Sequence, residues 1–188
     1  GFESISSYRL GTGANGGALA LTSELILALQ DAAQTLKATD ASTASRSSAV
    51  SVSFKIEESP VTMERGVQPY EVFFTSGNEH RSTESKELYL YLCAVGDGGY
   101  VEMHDLDDDG CCEALRWASA NDRGNIVIYA ARDGRVERLD VNETLGCIAS
   151  DYTGLIANLP REYKNLINAV DERGEGGDLY RYRGGILE

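Results

Sequence analysis

"ELYLYLCAV", residues 87–95, is the stretch whose reading decides the fold. It is apolar or aromatic at nearly every position, so no polar face separates out at a period of two. That pattern predicts a strand buried on both faces, at the centre of a sheet. After a turn at "GDGG" (96–99), "YVEMH" (100–104), "EALRWA" (113–118), "NIVIYAA" (125–131) and "VERLDV" (136–141) read as further strands. Asp133-Gly134 sits between the last two, a strong signal for a tight hairpin. Residues 87–141 are therefore expected to form one β-meander.

Upstream, Val50, Val52, Phe54 and Ile56 alternate with Ser51, Ser53 and Lys55, which predicts a half-buried strand. "YEVFF" (70–74) predicts another, with Pro60 and Gly66 breaking the chain between them and a polar loop over 76–86. Over 19–36 the pattern is helical, with Leu25, Leu29, Ala32 or Ala33, and Leu36 on one face and Thr22 or Ser23 as a cap for a later start. Residues 1–17 read as a flexible Gly/Ser-rich lead-in, and 38–49 as a flexible loop. "GTGANG" (11–16) matches Gly-x-Gly-x-x-Gly, but no buried strand precedes it and no parallel strand promptly follows, so it stays with the lead-in. Near the end, Pro160 opens an expected short helix over 161–170 with Asn158 as cap, and 178–188 read as a strand or hairpin. The expected fold class is α+β: one domain, 18–188, with an N-terminal helix packed on a mainly antiparallel sheet.

The 188 residues carry 30 acidic and 17 basic side chains, a formal net charge of −13. That excludes nucleic acid and anionic membrane as expected partners, since both need basic surface. It favours divalent cations. At 42% hydrophobic residues the chain has material for a core, and no stretch approaches the ~20 apolar residues of a membrane span. Cys93, Cys111, Cys112 and Cys147 permit two disulfides, with neighbours 111 and 112 pairing to 93 or 147, or four free thiols. No Cys-x-x-Cys offers zinc a site. The chain opens Gly1-Phe2-Glu3 rather than on Met, read as a trimmed terminus with any signal peptide or lipid-anchor Cys removed.

The acidic run is in "HDLDDDGCCEALRW" (104–117). Asp105, Asp107 and Asp109 stand at positions 1, 3 and 5 of a cation loop, Gly110 at 6 and the Cys111 carbonyl at 7. Alternate residues of a tight turn aim their carboxylates inward, and Gly permits the reversal. Position 12 is Arg116, where an EF-hand needs a bidentate Glu, and the flanks are strand-like, so an EF-hand is not expected. Glu113 stands at position 9 instead.

This loop and the strands after it resemble the FG-GAP/VCBS family of repeats, over roughly 89–141. The resemblance implies a structural Ca²⁺ held by the side chains of Asp105, Asp107, Asp109 and Glu113 and by the carbonyl of Cys111. Asp108 departs from the small residue common there and is read as solvent-facing. Cys111-Cys112 is a second departure. Family members often form β-propellers, but at ~40–50 residues per blade the chain after residue 49 supplies about three, fewer than a closed propeller needs.

The expected role is that of an extracellular or cell-surface bacterial domain, a binding, adhesion or lipoprotein scaffold for a protein or glycan ligand. The alternative is a metal-dependent hydrolase using the acidic cluster. His80 and His104 are read as lacking acid/base partners, and no Gly-x-Ser-x-Gly occurs, so no catalytic residue is expected. Asn142-Glu143-Thr144 fits a glycosylation sequon. Tyr89, Tyr91 and Tyr100 are the candidates for a sugar- or peptide-binding surface.

Overall fold

A computed structural model of the chain describes residues 11–12, 19–20, 46–56, 59–76, 78–97, 100–117, 125–153, 158–171, 173 and 177–188. Three mostly antiparallel sheets make up most of it, and none closes on itself. The first contains β1 (Gly11–Thr12), β3 (Arg46–Ile56), β4 (Ser59–Gly66), β5 (Glu71–Ser76) and β6 (Glu79–Glu84), paired in that order. The second runs β10 (Arg135–Asp140), β9 (Val127–Arg132), β8 (Glu113–Trp117), β7 (Tyr100–His104) and β2 (Leu19–Ala20). Only β2 is parallel to its neighbour. The third is β11 (Ala149–Tyr152), β12 (Leu166–Val170), β13 (Asp178–Arg183) and β14 (Ile186–Leu187). Two α-helices, α1 (Lys86–Gly96) and α2 (Val141–Leu145), complete the described elements with a 3₁₀ turn at Arg161–Tyr163.

Sheet two is the centre, because its strands bury both faces. Along β9, Val127 and Tyr129 join a first core with α1, and with Met63, Val72 and Phe74 of sheet one. Ile128 and Ala130 point the other way, into a second core with Tyr152, Ile167 and Tyr182 of sheet three. The side-chain period of two thus feeds two cores from one strand. Each large side chain fully buried this way contributes ~1.5–3 kcal/mol of transfer free energy.

The stretch 87–95, expected as the central strand, is helical. α1 starts at Ser85, whose hydroxyl accepts the Leu88 N–H at 3.3 Å. Its buried residues, among them Leu88, Tyr91, Leu92 and Val95, cover most of its circumference, because it lies between sheets one and two. A helix apolar nearly all round shows no amphipathic period. The remaining signal is the less buried stripe at Lys86, Tyr89, Cys93 and Gly96, spaced three and four apart.

The expected helix over 161–170 is a single 3₁₀ turn followed by β12. Asn165, at φ 59°, ends the helical turn, and β12 takes its hydrogen bonds from β11 and β13 instead. The expected polar loop over 76–86 contains edge strand β6, paired along β5. Pro60 and Gly66 lie near the ends of β4 rather than interrupting it. The expected loop 38–49 ends in strand from Arg46, and Leu19–Ala20 is strand rather than the start of a helix. The rest of the expected N-terminal helix, 21–36, lies outside the described residues, as do 38–45. The strands expected at 50–56, 100–104, 113–118, 125–131 and 136–141, and the terminal hairpin, agree with the structure within a few residues. Asp133 and Gly134, at φ 50° and 75°, make the tight turn between β9 and β10.

Candidate metal centre

The acidic run forms the connection between β7 and β8. His104 and Glu113 are Cα partners at the last rung of the ladder, so residues 105–112 leave and re-enter paired strands. Asp108 and Gly110, at φ 58° and 89°, reverse the chain. A Cβ at Gly110 meets no atom within 4 Å, so glycine serves there for its backbone conformation and not for space.

The carboxylates fold over the turn and accept its own N–H groups. Asp105 accepts from Asp109 at 3.1 Å and from Gly110 at 3.0 Å. Asp107 accepts from Asp109 at 3.3 Å, and Asp109 from Cys111 at 2.7 Å. One carboxylate oxygen each from Asp105, Asp107 and Asp109 lie within 4.8 Å of one another, a grouping with no second example among the described residues. Two unit charges at such a distance repel by ~1 kcal/mol in water and ~4 kcal/mol at an effective dielectric near 20. Asp108 is exposed and stands outside the grouping.

Glu113 sits beneath the three aspartates at 4% exposure. Its Oε2 accepts the Leu106 N–H at 2.8 Å. Burial pushes its carboxyl up to about 8; the Leu106 N–H opposes that rise, and Asp107, Asp109 and Asp105 add to it. Strand periodicity explains the burial, since Glu113 shares a face of β8 with Leu115 and Trp117. Cys111 is half-buried, and burial, then Glu87, Asp109 and Glu113, push its thiol up to about 12. The expected donor at Cys111 is its carbonyl and not this thiol. Of the five expected ligands, the structure brings three side chains together and holds the fourth, Glu113, against the loop backbone.

Sheet three steadies the loop from the far end of the chain. Asn165 Nδ2 donates to the Asp105 carbonyl at 3.4 Å, and the Gly184 N–H to Asp107 Oδ2 at 3.4 Å. Nothing local in the sequence marks either residue. The chain matches no family model, no curated protein and no solved structure. Its site therefore rests on its own geometry.

His104, expected to lack a partner, has one: its Nε2 lies 2.9 Å from Glu102 Oε2, and its ring packs on Tyr152 at 4.9 Å. The i, i+2 spacing on one face of β7 was the available signal. The side chain of His80 lies outside the described residues. All four cysteines are free thiols, Cys93 accepting from Arg65 Nη1 at 3.2 Å. Tyr91 is wholly buried with an unpartnered hydroxyl, and Tyr89 is half-buried edge-on to Tyr70, so neither is a surface platform. The side chain of Tyr100 lies outside the described residues. The sequon amide of Asn142 is engaged twice, donating to Asn125 Oδ1 and to the Ile148 carbonyl, each at 2.6 Å. Among the described residues no helix is long and apolar enough to cross a membrane.

Proposed function

We propose that residues 105–113 form a structural calcium loop of the FG-GAP/VCBS type, within an extracytoplasmic binding or adhesion domain. The observation that carries the reading is the convergence of Asp105, Asp107 and Asp109 on the connection of a β-hairpin. A hard divalent cation is the partner that three carboxylate oxygens fit, and calcium takes more protein oxygens than magnesium does. Asp105, Asp107 and Asp109 supply side-chain oxygens, the Cys111 carbonyl a further one, and Glu113 a carboxylate from below. The cation offsets the repulsion of the aspartates and fixes the β7–β8 connection. The ligand of the domain is a protein or glycan of the cell surface or its surroundings.

Calorimetric titration with Ca²⁺ and Mg²⁺ tests this. Saturable calcium heat is expected with a Kd of about 10⁻⁴–10⁻³ M, the range of extracellular calcium modules, and weaker magnesium binding. Absence of heat and of any melting shift at millimolar calcium contradicts the reading.

A further inference from the structure

We draw no further inference here: the strongest candidate, the outer face of sheet three, where Leu179 of β13 and Ile186 of β14 stand exposed beside the Arg183–Glu188 pair, carries none because nothing in the structure shows what covers it.

Discussion

Two of the connections between neighbouring strands of sheet two are built to opposite specifications. Between β9 and β10 the chain turns in two residues, Asp133 and Gly134, both in the left-handed region. Between β7 and β8 it takes the eight residues 105–112, with three carboxylates folded inward. Both join adjacent antiparallel strands of similar length. Topology alone therefore needs only the short turn. The longer one orders more backbone and crowds like charge, and both effects oppose folding. Its own N–H groups offset part of that cost. On the proposed reading a bound cation would offset the rest, and the difference between the two turns is where that reading is tested.

The largest expected effect separates the buried carboxylate from the turn above it. Glu113→Ala leaves the Leu106 N–H without its acceptor and opens a cavity in the second core, for a loss of roughly 2–4 kcal/mol by chemical denaturation. Glu113→Gln keeps an acceptor oxygen and is expected to lose far less in calcium-free buffer. Equal losses in the two variants break the assignment of that hydrogen bond.

Next in size is a pH effect that the tight turn has no means to produce. An ordinary glutamate titrates at 4.5, and buried Glu113 at about 8. The folded state holds the extra proton between those values, so its stabilising contribution is full below pH 4.5 and is lost as pH rises through 8. In chelator, melting is expected to fall by roughly 5–10 °C from pH 5 to 8. Millimolar calcium is expected to flatten that fall, because the cation favours the carboxylate, and Glu113→Gln to abolish it. A melting temperature that rises with pH in chelator contradicts the burial of this group.

The smallest effect compares the two turns directly. Gly110 and Gly134 have φ of 89° and 75° and open space at Cβ. Alanine at either is expected to cost about 1 kcal/mol through backbone strain alone. If Gly110→Ala costs much more than Gly134→Ala in chelator, the acidic turn is more tightly packed than described.

How far the sequence predicts the structure depends on where each element draws its determinants. The β9–β10 hairpin was legible because Asp133-Gly134 states its own backbone conformation. β3 and β5 were legible from alternation and from β-branched and aromatic residues. α1 was not, since packing between two sheets removes the polar face by which a helix is recognised. β12 was not, because pairing with β11 and β13 overrides the helical look of "REYKNLINAV". At the site, the spacing of Asp105, Asp107 and Asp109 was plain, being local. The partners Asn165 and Gly184, separated from the loop by 60 and 77 residues, come from tertiary packing and left no trace in the motif.

The central claim is that carboxylates crowd the β7–β8 connection because a cation holds them, and one measurement addresses it most directly. Thermal melting is compared for the parent chain, Asp107→Ala and Asp108→Asn, each in millimolar calcium and in chelator. A cation bound only by the folded state adds about 2.7 kcal/mol at a hundredfold excess over Kd. Asp107 belongs to the converging group, whereas Asp108 is exposed and outside it, and asparagine tolerates its left-handed backbone. The account predicts a calcium shift of several degrees in the parent chain, its near loss in Asp107→Ala and its retention in Asp108→Asn. No shift in the parent chain, or equal loss in both variants, contradicts it.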